Sequence, residues 1–233
     1  MLKEDRTPVN LRIDSVTIEG ELVVPEGSEA VVLFAHGSGS SRFSPRNNYV
    51  AEVLRKKGLA TLLFDLLTEE EDMIYGNRFN ITLLAERLML ATQWIIDNPE
   101  TADMRIGYFG ASTGAAAALQ ASVEVNSDLI GAVVSRGGRP DLAQAYLTKV
   151  HAPTLLIVGG RDPIVLELNR EVLQRLKSEK ELAVVANATH LFEEPGALEE
   201  VARLAADWFT KYLSKKRKGA AASPQEKQSR IAQ

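Results

Sequence analysis

Residues 105–119, Arg-Ile-Gly-Tyr-Phe-Gly-Ala-Ser-Thr-Gly-Ala-Ala-Ala-Ala-Leu, leave the backbone few choices. Ile106 to Phe109 reads as a short buried strand, Gly110-Ala-Ser112-Thr-Gly114 as a tight turn, and the alanine run as the start of a helix. A Ser flanked by glycines on a sharp strand-to-helix turn has the G-x-S-x-G nucleophile-elbow pattern. The glycines tolerate strained angles and let strand and helix approach closely. The turn lifts the Ser112 hydroxyl toward the positive end of the helix, where developing negative charge is favoured. Three fixed positions are a weak signal alone. The reading also needs a base, an acid and hydrogen-bond donors for an oxyanion, all on the same edge of the fold.

Continuous apolar runs at Ala30–Ala35, Leu59–Phe64, Leu129–Val134, Thr154–Val158 and Leu182–Val185 fit parallel strands covered on both faces. Helices are expected between them. One lies near Asn48–Lys57, stopped by Gly58, and a longer one spans about Asn80–Asp97 with Leu84, Leu88, Ala91 and Ile95 on one face. A third starts at Asp162-Pro163 and carries Val165, Leu168, Val172 and Leu176, and a closing helix runs over about Ala197–Leu213. Residues 11–24 alternate around Glu19-Gly20 and read as an antiparallel hairpin, Glu69–Asp72 as an acidic loop, and Leu142–Leu147 as a short helix. Together these predict an α/β fold: a mostly parallel eight-stranded sheet, an N-terminal antiparallel hairpin, and helices on both faces. Ser135 to Thr154 leaves about twenty residues, little more than a minimal crossover, so no lid domain is expected. Ligands should sit at the carboxyl ends of the strands.

With 233 residues, 45% of them hydrophobic, the chain can build one substantial core, assigned to residues 1–213. The last twenty residues hold six Lys/Arg against one Glu, and residues 214–233 are expected to form a basic, disordered tail. That leaves the body at −9 out of a net charge of −4, which argues against nucleic acid as a partner. The absence of cysteine removes disulfides, thiolate metal sites and a Cys nucleophile. No stretch approaches the ~20 apolar residues of a membrane span, and the polar N-terminus lacks a signal h-region. A cytoplasmic protein with no membrane partner is expected, and the residues call for no cofactor and no metal.

Three histidines are available as a base. His190 follows the last strand, at the carboxyl edge. His151 precedes a strand and falls on the wrong edge, while His36 opens a Gly/Ser loop and reads as its support. Asp162 follows the preceding strand and is the candidate acid, with Asp141 and Glu193 as runners-up. Asp162 before Pro163 also has the look of a helix N-cap. The order Ser112, Asp162, His190 is the order an α/β-hydrolase triad requires. Backbone N–H groups of Ser38, in the Gly37-Ser38-Gly39 loop, and of Thr113 are the candidate oxyanion hole. Arg42, Arg136 and Arg139 are expected at the mouth as candidate substrate-binding residues for an anionic group, with pairing to Asp65, Asp141 or the acidic loop as the competing expectation.

The set His36-Gly-Ser-Gly-Ser-Ser-Arg, Asp65-Leu-Leu, Gly-Ala-Ser-Thr-Gly, Ser-Arg-Gly-Gly-Arg-Pro-Asp, Gly-Gly-Arg-Asp-Pro and Ala-Thr-His190-Leu-Phe, spread from about Val16 to Leu213, resembles the α/β-hydrolase superfamily. More closely it resembles the dienelactone-hydrolase-like branch, with Ser112 where true dienelactone hydrolases carry cysteine. The resemblance implies acyl transfer at Ser112, and with no lid expected the pocket should be shallow and open, so a serine hydrolase cleaving small or short-chain carboxylic esters through an acyl-enzyme is expected. Thioester, lactone or peptide substrates on the same triad, or a non-catalytic small-molecule receptor, remain open alternatives.

Overall fold

Four of the apolar runs become buried inner strands of one sheet, whereas Leu182–Val185 falls in the edge strand, where Val184 is exposed. A computed structural model describes residues 6–13, 16–125 and 129–214. Its strands are β1 (Arg6–Ile13), β2 (Val16–Val23), β3 (Ala30–Ala35), β4 (Ala60–Phe64), β5 (Arg105–Ala111), β6 (Ile130–Arg136), β7 (Thr154–Gly159) and β8 (Lys180–Val185). They lie in the order β1-β2-β4-β3-β5-β6-β7-β8. β1 and β2 are antiparallel to each other, β2 is antiparallel to β4, and β3 to β8 run parallel.

The helices are α1 (Pro45–Lys56), α2 (Glu69–Met73), α3 (Ile81–Asp97), α4 (Thr113–Glu124), α5 (Pro163–Arg175) and α6 (Ala197–Leu213). Side chains alternate across β3: Val31 and Leu33 join a core with residues of α3, α4 and α5, whereas Val32 and Phe34 join one with α1 and α6. Leu84, Leu88, Ala91 and Ile95 of α3 are all buried, as their spacing requires. No described helix is long and apolar enough to cross a membrane.

Four local details differ from expectation. The hairpin pairing ends earlier, with Ile13 opposite Val16, so Gly20 lies inside β2 opposite Phe64, where an added Cβ would come within 2.9 Å of the Phe64 Cβ. Alternation cannot distinguish a turn glycine from one that makes room for a neighbouring strand. The acidic loop is the helix α2, closed by a capping box in which Thr68 and Glu71 bond each other's backbone N–H. The segment read as a helix over Leu142–Leu147 is two 3-10 turns, Pro140–Ala143 and Leu147–Lys149. Helix α1 also begins earlier, with Ser44 accepting from the Asn47 N–H and Pro45 in the first turn. The tail expected at 214–233 lies outside the described residues from 215 onward.

The sheet order reverses at β3: the chain leaves it toward β4 on one side and returns as β5 on the other. Loops after β3 and β5 therefore diverge at their carboxyl ends and open a crevice there. The turn between β5 and α4 is packed against backbone on every side. An ideal Cβ on Gly114 would lie 2.2 Å from the Ala35 carbonyl oxygen and 2.5 Å from that of His36. On Gly110 it would lie 2.5 Å from the Ala115 Cα. Backbone cannot yield as a flexible side chain can, so Gly114→Ala is expected to destabilise the fold by about 3 kcal/mol. A urea midpoint within error of wild type would show that α4 does not approach β3 this closely.

Candidate active site

Ser112 follows β5 with φ 51° and ψ −120°, a conformation that L-residues other than Gly rarely adopt. The neighbours hold it there. The Ser112 N–H donates to the Arg136 carbonyl at 3.2 Å, and its own carbonyl accepts from the N–H groups of Ala115 at 3.1 Å and Arg139 at 3.0 Å. Strained backbone kept in place by its surroundings is characteristic of functional positions. Asn187 and Phe192, on either side of His190, are the other described non-glycine residues with positive φ.

His190 stands in the loop between β8 and α6, and Asp162 between β7 and α5. The His190 Nδ1 lies 2.7 Å from the Asp162 Oδ2. Asp162 does occupy the N-cap position of α5, with Pro163 following, but its side chain makes no capping bond and is turned to the imidazole. This contact assigns the proton to Nδ1 and leaves Nε2 as the acceptor. The Asp162 side chain is 15% exposed and that of His190 39%, so the carboxylate is sheltered while the ring meets solvent. The loop is pinned by Thr189 N–H to Glu194 at 3.0 Å and by Arg161 N–H to the Ala188 carbonyl at 2.9 Å. Ser112 and His190 make no mutual hydrogen bond among the described residues. Between them passes the turn after β6, where an ideal Cβ on Gly137 would lie 3.1 Å from the His190 carbonyl oxygen and 3.6 Å from its Cε1.

The loop after β3 closes the other side. An ideal Cβ on Gly37 would lie 2.9 Å from the Ser112 Cβ and 3.7 Å from its Oγ, so only glycine lets this loop reach the serine. Ser38 follows at an exposed turn tied by Ser40 N–H to the Gly37 carbonyl at 3.2 Å. Thr113 opens α4, where the first N–H groups have no partner within the helix. His36 is buried and holds the loop from below. Its Nε2 accepts from the Leu66 N–H at 2.9 Å, which makes Nδ1 the donor to the Gly37 carbonyl at 3.0 Å. Burial lowers its pKa, chiefly by desolvation, so the ring stays neutral as these bonds require. His151 is exposed at the amino end of β7 and takes no part.

The three arginines do not form one group. Arg42 is bound to Asp65 and Glu19, and Arg139 is held by Asp141 through two bonds of 2.9 Å. Arg136 alone has no carboxylate partner among the described residues. Its side chain is buried, with Nε and Nη1 unbonded. The sequence reading did not single out Arg46, which approaches this region from α1 and pairs with Glu193 at 3.1 Å. A charged residue in the first turn of an amphipathic helix carries no signal that it will face a site. A cleft of about 700 Å³ runs beside the crevice, lined by β2 and by residues of the 40–43 and 67–72 segments, and includes His36 but none of Ser112, Asp162 or His190.

The comparisons agree with this architecture. The alpha/beta hydrolase domain family matches residues 28–204. A dienelactone hydrolase from Anabaena variabilis is 54% identical, with a TM-score of 0.88 over 91% of this chain and 100% of that one. Est1E from Butyrivibrio proteoclasticus shares the fold at 15% identity, with a TM-score of 0.76 over 89% of this chain and 99% of its own. A Mycobacterium tuberculosis protein, whose name gives it provisionally as a phosphoribosyl transferase, is 58% identical over 198 residues, 85% of this chain. Those residues are 44% of that protein, so the chain spans less than half the length of the curated relative it matches. The elbow, the strand order and these matches agree that the chain belongs to the alpha/beta hydrolase family.

Proposed function

We propose that the protein is a serine hydrolase that cleaves small or short-chain carboxylic esters through an acyl-enzyme. The observation that carries this is the convergence, at one sheet edge, of a positive-φ Ser112 and the Gly37 loop in contact with it, beside a His190 oriented by Asp162. In this reading Ser112 Oγ attacks the ester carbonyl and passes its proton to His190 Nε2. The oxyanion is held by the N–H groups of Ser38 and Thr113, at the positive end of α4. The C–O bond breaks as His190 returns the proton to the departing alcohol. Water then attacks the acyl-Ser112 ester with His190 again as base, and the acid leaves. Asp162 keeps the tautomer and stabilises the imidazolium without taking the proton.

Support for small acyl groups comes from the rim. The β6–β7 connection carries only short turns, and Leu142, Ile164 and Leu191 stand exposed beside Arg139, Asp162 and His190. The test is a panel of 4-nitrophenyl esters of two to twelve carbons, with a thioester, a lactone and an aminoacyl anilide. Turnover should be highest on esters of two to six carbons. Preference for the thioester or anilide by tenfold or more would overturn the ester assignment, and no turnover on any member would overturn the hydrolase reading. The name of the Mycobacterium relative raises phosphoribosyl transfer as a second reading. Release of pyrophosphate from phosphoribosyl pyrophosphate that depends on Ser112 would favour it.

A further inference from the structure

We propose that Asn169, buried in α5, is a positioning residue for the oxyanion: its side-chain amide aims and polarises the Thr113 N–H through two intervening peptide units. This rests on the hydrolase reading, with Ser112 as nucleophile and Thr113 as a donor, and concerns how that same site holds developing charge.

Asn169 is fully buried in the second turn of α5, the helix that Asp162 precedes. Its Nδ2 donates to the Gly138 carbonyl at 3.0 Å and to the Val165 carbonyl, one turn back on its own helix, at 2.8 Å. Both partners are acceptors, which fixes the amide with its NH2 group toward them. Oδ1 is left buried without a hydrogen-bond partner. An orphaned buried acceptor is costly, and a leucine of similar size would fill the same space without one. The donors, rather than packing, account for an asparagine here.

The Gly138 carbonyl and the Arg139 N–H are the two ends of one peptide unit, and a trans peptide points them in opposite directions. With Asn169 on the carbonyl, the N–H faces the other way and donates to the Ser112 carbonyl at 3.0 Å. That carbonyl is in turn one end of a peptide whose other end is the Thr113 N–H, so the Thr113 N–H faces away from Arg139. Thr113 is the first residue of α4 and has no acceptor within the helix. The bonds therefore run head to tail from Asn169 to the N–H assigned to the oxyanion. A carbonyl that accepts a hydrogen bond makes the N–H of its own peptide a better donor, by on the order of 10–30% per bond in such chains.

The turn that carries this relay is tightly placed. An ideal Cβ on Gly138 would lie 2.0 Å from the Ser135 Oγ and 2.6 Å from the Ala115 Cβ, and the Gly137 N–H donates to the Ile157 carbonyl at 2.8 Å. The Ala115 N–H also donates to the Ser112 carbonyl, at 3.1 Å, but from within α4 itself. Asn169 adds a hold from a separate element. Helix α5 thus serves both halves of the chemistry, orienting His190 through Asp162 at its start and the oxyanion donor through Asn169 a turn later.

The experiment uses trifluoromethyl butyl ketone, which Ser112 Oγ attacks to form a hemiketal oxyanion while its proton passes to His190. Asn169→Leu should weaken this adduct by about 10-fold per titrated active site, less than the ~10²–10³ that loss of a whole donor costs, and lower kcat/KM for 4-nitrophenyl butyrate by the same factor. Affinity for butyrate, the product acid, should change by less than about threefold, because the effect belongs to the oxyanion and not to ground-state binding. A purely structural role would reduce the number of active sites and leave the affinity of each unchanged. The unaltered protein supplies a second test, which stands even if Asn169→Leu does not fold. On adduct formation the proton resonances of the Asn169 side-chain amide and the Arg139 N–H should move downfield, while the Gln93 amide, bonded to Asp97 on α3, stays in place. Ketone affinity within about threefold of wild type in Asn169→Leu, or an Asn169 proton unmoved by the adduct, would overturn the proposal. Either result with an adduct present on Ser112 removes this relay alone, whereas absence of any adduct on Ser112 removes the hydrolase reading with it.

Discussion

Ser112→Ala is expected to lower kcat/KM for a short-chain 4-nitrophenyl ester by about 10⁴- to 10⁶-fold, with the thermal midpoint little changed. In the proposed mechanism Ser112 Oγ is the atom that forms the acyl-enzyme, so removing it deletes that step. The remaining N–H donors and His190 would still bind and polarise the ester, which sets a small residual rate rather than zero. The fold should tolerate the change, because Ser112 is held by its backbone N–H and carbonyl rather than by its side chain. Alanine at φ 51° is strained much as serine is, so the variant keeps the same elbow. Activity within about tenfold of wild type would place the chemistry elsewhere.

The second large effect is Asp162→Asn, expected to cost about 10⁴-fold in kcat with little change in KM. Asn has nearly the same shape, but its amide group can donate to Nδ1, which moves the ring proton to Nε2. His190 is then fixed in the tautomer that cannot accept the Ser112 proton. Helix α5 should not suffer, because Asn and Asp are equally good at an N-cap and the Asp162 side chain makes no capping bond to lose. A drop in activity with an unchanged melting temperature therefore separates orientation of His190 from support of the helix. A loss smaller than about tenfold would point to another acid. The two runners-up are already engaged, Asp141 with Arg139 and Glu193 with Arg46.

Much of this was legible in the sequence because the signals were redundant. The run Ala30–Ala35 is a strand over those same residues, and the closing helix expected over about Ala197–Leu213 is α6 with that span. The glycines of the elbow announced a close approach, and the carbonyl oxygens of Ala35 and His36 are what Gly114 approaches. His36 as a loop support also follows from its place at the end of a buried strand. What escaped depended on partners far away in the chain. Gly20 looked like a turn because nothing local reveals Phe64 beside it. The run Glu69–Asp72 looked like a solvated loop because four acidic residues carry no apolar stripe, and its helix is held by the Thr68–Glu71 capping box together with Arg87 on Glu71 and Arg78 on Asp72. Whether an arginine is paired cannot be read from spacing. Pairing with Asp65 and Asp141 was among the expectations for Arg42, Arg136 and Arg139, and the fold gives those carboxylates to Arg42 and Arg139 but not to Arg136.

The central claim, that Ser112 is the nucleophile, is tested most directly by exposing the protein to a fluorophosphonate and mapping the adduct by peptide mass spectrometry. The account predicts one phosphonyl group, attached to Ser112, with labelling lost in Ser112→Ala and strongly slowed in Asp162→Asn. A protein that hydrolyses esters yet stays unlabelled, or carries the group on another residue, would contradict it.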